Sequence, residues 1–123
     1  MVIKTTLTAK KNRATLKPAL ILFKGDIVFI EFTLINSLIT SINGVEVEES
    51  LPLDMLEKVE MKLVTPEGEE KLESIEVVDN RARFKMTASE VVGDYPFQLT
   101  CFDKDGCKFK LPASSYTILD DLG

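Results

Sequence analysis

The residue types that could do chemistry in this chain are few, and the first observation is that histidine is missing from all 123 residues. Without histidine, Ser-His-Asp and Cys-His nucleophilic schemes are excluded, and so are most transition-metal sites of ordinary composition. Two cysteines remain, Cys101 and Cys107. With no further soft ligand beside them, a zinc site is the poor reading. They read as reduced thiols in an apolar core, with a disulfide as the lesser alternative. The segment Asp103-Lys104-Asp105-Gly106 has the look of a calcium loop but lacks its remaining ligands and terminal glutamate, and reads as a hairpin turn. Carboxylates are frequent from Glu46 to Glu76, where a glycosidase pair is conceivable, yet most alternate with apolar residues as on a solvated sheet face. No glycine pattern for a P-loop or a dinucleotide is present. The sequence therefore predicts no catalytic residue, no cofactor and no metal.

Charge is the next resource. The net charge is −5, against a dedicated nucleic-acid surface. It is unevenly spread. Residues 1–25 carry six basic groups and no acidic one, whereas residues 26–80 carry fourteen acidic groups against three basic. Such polarity favours head-to-tail or inter-subunit docking, and a homo-oligomer is one outcome. The basic cluster Lys10-Lys11-Asn12-Arg13 reads as a solvated lead-in or as an arm for an acidic neighbouring subunit, with nucleic acid a distant third. The apolar runs Ala19–Phe23 and Ile27–Ile30 are too short to span a membrane, and Met1–Thr5 lacks the layout of a secretory signal.

The elements that must position these residues read as strands throughout. Residues 1–17 form a basic lead-in whose Val2–Thr8 stretch fits an edge strand, and residues 18–120 form the domain. Pro18–Phe23 fits a short strand opened by its proline. In Ile27–Ile35, Val28, Ile30, Phe32 and Leu34 alternate toward a core; Phe29 on the other face suggests a central strand covered at one end. Asn43-Gly44 marks the turn of a small projecting hairpin between Leu38–Ile42 and Val45–Val47. An extended connection follows through Leu51-Pro52-Leu53-Asp54-Met55. Val59, Met61 and Leu63 then point inward, ahead of a Thr65-Pro66-Glu67-Gly68 turn.

Glu70–Val78 and Arg81–Thr87 pair around Asp79-Asn80, with Val77 facing Ala82, Ile75 facing Phe84 and Glu76 meeting Arg83. Leu72 is out of phase with Ile75, which predicts a bulge or break near Glu73-Ser74. Thr87-Ala88-Ser89-Glu90 has capping-box spacing, for one helical turn crossing between sheets. The closing hairpin carries Tyr95, Phe97, Leu99 and Cys101 on one face, with Cys107, Phe109 and Leu111 continuing it. A three-residue loop with Gly106 in the left-handed conformation sets Cys101 against Phe109 and Leu99 against Leu111; a two-residue loop would set Cys101 against Lys110. Phe102 then lies on the outer face beside Lys108, as a lysine-capped surface aromatic or an interface anchor. The pattern predicts an all-β, immunoglobulin-like antiparallel sandwich of about seven to nine strands.

From Lys24 on, the order of features resembles the N-terminal domain of phage baseplate upper proteins. The matching residues are Gly25-Asp26 before a strand ending Glu31-Phe32-Thr33-Leu34, then Pro52-Leu53-Asp54-Met55. Val59-Glu60-Met61-Lys62-Leu63 with Thr65-Pro66-Glu67-Gly68 follows, and Val78-Asp79-Asn80-Arg81-Ala82-Arg83-Phe84 after it. The last are Gly93-Asp94-Tyr95-Pro96-Phe97 and Tyr116-Thr117-Ile118. The resemblance implies an immunoglobulin-like, non-enzymatic module of the host-adsorption apparatus. It would be made in the host bacterial cytoplasm, sit at the virion tail tip and assemble with other tail proteins, with no nucleic-acid or membrane partner. The competing expectation is a carbohydrate-binding or adhesin-type sandwich, disfavoured by the absence of tryptophan. The candidate interface residues are Lys10, Lys11, Arg13, Asn43, Gly44 and Phe102.

Overall fold

Sixteen consecutive residues rich in Ile, Phe, Leu and Thr, unbroken by Gly or Pro until Asn43-Gly44, form the longest strand of the molecule. In the computed structural model this strand, β4 (Ile27–Ile42), is the axis on which the fold is built. The structure describes residues 1–10, 12–52, 55–89 and 91–120, with the backbone alone at 38–40 and 49–52. Among these residues it contains β1 (Val2–Lys10), β2 (Arg13–Lys17), β3 (Ile21–Phe23), β4, β5 (Val45–Pro52), β6 (Leu56–Val64), β7 (Glu70–Val78), β8 (Arg81–Thr87), β9 (Gly93–Asp103), β10 (Lys108–Lys110) and β11 (Ser114–Leu119). No helix occurs among them.

The strands hydrogen-bond in the order β2-β1-β4-β8-β7-β6-β9-β11-β3, with β5 on β4 and β10 on β9. This path curls into two facing halves. In one, β4 pairs β8 and β8 pairs β7; in the other, β7 pairs β6, β6 pairs β9, and β9 pairs β11, which is joined in parallel by β3. That is the strand order of an immunoglobulin-like sandwich. Alternation decides the core. Val28, Ile30, Phe32 and Leu34 face Val59, Met61 and Leu63 and the row Tyr95, Phe97, Leu99 and Cys101, and all are buried. Phe32 bridges the halves, its ring 5.8 Å from Phe84 on its own side and 5.8 Å from Phe97 opposite.

Several expectations hold and several are corrected. The closing hairpin has the three-residue loop: Phe109 pairs Cys101, Leu111 N–H donates to Leu99 O at 2.9 Å, and Gly106 sits at φ +85°. Cys107, expected inward, is exposed. It pairs Asp103 by a 3.0 Å backbone bond, where the inward face has run past the end of the core. The segment 103–106 is a turn in which the Asp103 carboxylate accepts the N–H groups of Asp105 and Cys107, at 3.0 and 2.9 Å.

Residues 2–10 and 13–17 are strands of the sheet, and Val2–Thr8, expected as an edge strand, is an inner one. Thr5, Leu7 and Ala9 are buried, and β1 lies between β2 and β4, parallel to β4 from Val2 opposite Phe29 to Lys10 opposite Ser37. The sheet is accordingly mixed rather than purely antiparallel, and the described strands number eleven. Pro18 precedes β3 rather than opening it.

The Asp79-Asn80 turn has both residues at positive φ, with Glu76 opposite Arg83 and Val77 opposite Ala82. Ile75 does not pair Phe84. It pairs Val59, and β7 changes partner from β6 to β8 after Ile75, so one unbroken strand serves both halves. This exchange takes the place of the bulge expected at Glu73-Ser74. Leu72, out of phase, is simply exposed. At the crossing after β8, Ser89 Oγ accepts from Val91 N–H at 3.0 Å, a local turn instead of a helical cap; Glu90 lies outside the described residues. Leu53 and Asp54 of the expected connection lie outside them too, and the connection's first part is strand β5.

Candidate docking surface

Because β4 has sixteen residues and β8 only seven, the upper part of β4 runs past the sandwich. There it pairs β5, from Ile35 opposite Pro52 to Ile42 opposite Val45, and beyond Ser37, where β1 ends, it pairs β5 alone. The result is a two-stranded arm. Its tip is the expected Asn43-Gly44 turn, with φ of 52° and 78°, the pair of left-handed values that a two-residue hairpin loop requires. Ile42, Val45 and Val47 are exposed at 59, 62 and 44%. In this register Ile42 opposes Val45, and Val47 lies two residues along on the same face. By parity this face continues the core-facing side of β4 beyond the core. Glu46 and Glu48 stand on the other face, so toward its tip the arm presents Ile42, Val45 and Val47 on one side and the two carboxylates on the other.

The arm's base is tied to the β1–β2 turn. Lys10 Nζ lies 2.9 Å from Glu48 Oε2, and Ser37 Oγ donates to Glu48 Oε1 at 2.8 Å. These two bonds, Lys10 first and then Ser37, hold the Glu48 carboxyl below its ordinary range. Arg13 opposes Lys10 across the hairpin and is exposed. Lys11 lies outside the described residues. The structure thus groups Lys10 and Arg13 at the foot of the arm and places Asn43 and Gly44 at its tip. It does not bring Phe102 to them: that ring is half-buried on β9 in the other half, with Lys58 Nζ at 5.3 Å and Lys108 Nζ at 5.7 Å from its centroid. The geometry is that of the lysine-capped surface aromatic.

Beside the foot of the arm, a groove of about 500 Å³ opens between the β1–β2 turn and the segment after β10. Ala9, Phe109, Leu111, Pro112 and Ala113 give it apolar walls, and Asn12, Asn36, Gln98 and Lys110 a polar rim. A smaller cleft of about 250 Å³, lined by Glu67, Glu69, Glu73, Lys71 and Lys85, reaches Tyr95 and Tyr116. Those two rings stack at 5.1 Å and are only 2 and 5% exposed, so neither offers a face to a sugar. Tyr95 Oη donates to Val91 O at 2.6 Å, and burial, with Tyr95 and Glu73 nearby, pushes the Tyr116 phenol up to about 12. Burial likewise pushes the Cys101 thiol up to about 11, away from a reactive thiolate.

The exposed apolar residues of the arm and Glu48 were not singled out by the sequence. Their signal was present in Val45-Glu46-Val47-Glu48, a clean strand alternation. Comparison with family models, with curated proteins and with solved structures found no match.

Proposed function

We propose that this chain is a non-enzymatic structural docking module of a phage tail baseplate, assembling with other tail proteins in the host-adsorption apparatus. The observation that carries the docking role is the arm: a hairpin that leaves its own core with Ile42, Val45 and Val47 exposed on one face. Apolar side chains presented together on a projecting element gain most by burial against another protein, at about 25 cal/mol per Å² of apolar area removed from water. The buried Phe32, Phe84 and Phe97 make the body beneath it a packed support rather than a container. The tail-baseplate setting rests on the resemblance of the segments from Gly25-Asp26 to Tyr116-Thr117-Ile118, and the immunoglobulin-like strand order is consistent with it.

Affinity capture tests the reading. The full chain, immobilised and exposed to a lysate containing assembled and free tail components, should retain proteins identified by mass spectrometry as tail proteins. Specific binding to a glycan array with no tail protein retained would overturn it in favour of the carbohydrate-binding alternative.

A further inference from the structure

The arm and the β1–β2 hairpin each end in a strand with one open edge: β5 pairs only β4, and β2 pairs only β1, among the described residues. Which backbone groups face those edges follows from the hairpins. A two-residue loop makes its closing pair a hydrogen-bonded one, and bonded and non-bonded pairs alternate from there. In β4–β5 the bonded pairs are Ile42 with Val45 and Thr40 with Val47, which leaves the N–H and C=O groups of Glu46 and Glu48 on the open edge. In β1–β2 they are Lys10 with Arg13 and Thr8 with Thr15, which leaves those of Ala14 and Leu16.

The side chains then decide how two such edges can join. On β2, Ala14 and Leu16 point to the core side, and Arg13, Thr15 and Lys17 point outward. On β5, Val45 and Val47 share one face, and Glu46 and Glu48 the other. In an antiparallel join, directly opposed residues must both aim their amides at the shared edge or both away from it. That would put Glu46 or Glu48 opposite Ala14, with a carboxylate on the core side. In a parallel join, a residue aimed at the edge is opposed by one aimed away from it, as Leu7 and Leu34 are in β1–β4. Valine then meets alanine on the core side, and glutamate meets arginine outside.

We propose that the arm of one copy adds as a strand to β2 of a second copy, with β5 parallel to β2, Val47 opposite Ala14 and Glu46 opposite Arg13. The groove supports the same placement, because its Ala9 wall is the cross-strand partner of Ala14. Val45 and Val47 of the incoming arm enter that groove against Phe109, Leu111 and Pro112. The Arg13 end of β2 is the one used, since beyond Lys17 the chain turns to Leu20, whose carbonyl accepts from Thr117 N–H of β11. Two different edges make the contact heterologous, so it builds a reciprocal pair, a ring or, where the rotation does not close, an open filament. This rests on the docking role proposed above and names the arm's occupant.

Sedimentation of the purified full chain tests it, from about 1 µM to about 500 µM, a span that covers ordinary self-association constants. Concentration-dependent association is expected. Arg13→Glu and Glu46→Arg should each weaken it roughly tenfold or more, and the two together should restore it. Register is read in a Cys107→Ser background. Ala14→Cys with Val47→Cys should oxidise to linked oligomers, because the two positions are three strands apart within one copy. Ala14→Cys with Glu46→Cys, on opposite faces, should not. A monomer across the whole range overturns the proposal, as do reversals without effect or a double reversal that restores nothing, each judged on variants whose circular dichroism matches the parent. A monomeric chain that still captures tail proteins leaves the docking role standing and removes only self-pairing. A chain that self-associates but captures none does the reverse.

Discussion

Replacing Phe32 by alanine tests whether the two halves are held as described. The side chain is 1% exposed and stands in the middle of β4, with Phe84 and Phe97 each 5.8 Å away, centroid to centroid. Truncating a buried phenylalanine costs about 3–5 kcal/mol through lost transfer energy and the cavity left behind. Each ring pair accounts for about 0.5–1.5 kcal/mol of that. Taking about 4 kcal/mol from a total stability of about 5–15 kcal/mol leaves about 1–11 kcal/mol, so the variant stays folded at room temperature with a reduced margin. At roughly 3–5 °C per kcal/mol for a domain of this size, Tm falls by about 12–20 °C. Urea unfolding followed by circular dichroism measures the loss directly, with the slope against urea unchanged. Phe102→Ala is the internal comparison: its ring is half-exposed under Lys58 and Lys108, and its loss should cost only about 0.5–1 kcal/mol. A Phe32→Ala penalty near 1 kcal/mol, or one no larger than that of Phe102→Ala, would refute the packing described.

Other outcomes follow from single features. Titration of the native chain with a thiol reagent should modify Cys107 alone, and Cys101 only on unfolding, since Cys107 is exposed and the Cys101 thiol is buried and raised to about 11. Gly44→Ala meets no atom within 4 Å, so its cost is that of a left-handed alanine, about 1–2 kcal/mol. That loss should appear as faster amide exchange in the arm with little change in the body. The Glu48 carboxyl, held down by Lys10 and then Ser37, is charged and bonded at neutral pH. Because its folded-state value is depressed, its tie is complete above the unfolded-state value and is lost as pH falls through the folded one. A carboxyl titration by NMR should therefore place its midpoint below that of an ordinary glutamate, and Lys10→Ala should raise it.

How much of this was legible depended on whether the deciding interactions were local. The alternation of Val28 to Leu34 and of Tyr95 to Cys101 marked the core faces directly, because a half-buried strand shows a period of two. Cross-strand matching of Phe109 with Cys101 selected the right hairpin loop, since a one-residue slip would have turned Lys110 inward. The place of β1 was hidden. Thr5, Leu7 and Ala9 are small or single apolar residues among threonines and lysines, and a parallel partner more than twenty residues away leaves no local trace. The partner exchange in β7 was hidden for a related reason: Ile75 fits a core position against Val59 as well as one against Phe84. Cys107 had the right parity but the wrong environment, because alternation gives the side of a sheet and not where the core ends. For the docking surface, Asn43-Gly44 announced a hairpin and the basic cluster announced charge. That the hairpin would project was legible in that turn; that Lys10 would hold Glu48 was not, because the two meet only through the pairing of β1 and of β5 with β4.

The central claim is that this chain docks through its arm. Capture of tail proteins by the full chain, run beside a Val45→Lys, Val47→Lys variant with unchanged unfolding, tests it most directly. Both valines are exposed, so the body should be unaffected by the change. The account predicts that the parent retains tail proteins and the variant loses them. Equal retention by the two, or retention of no tail protein by the parent, would contradict it.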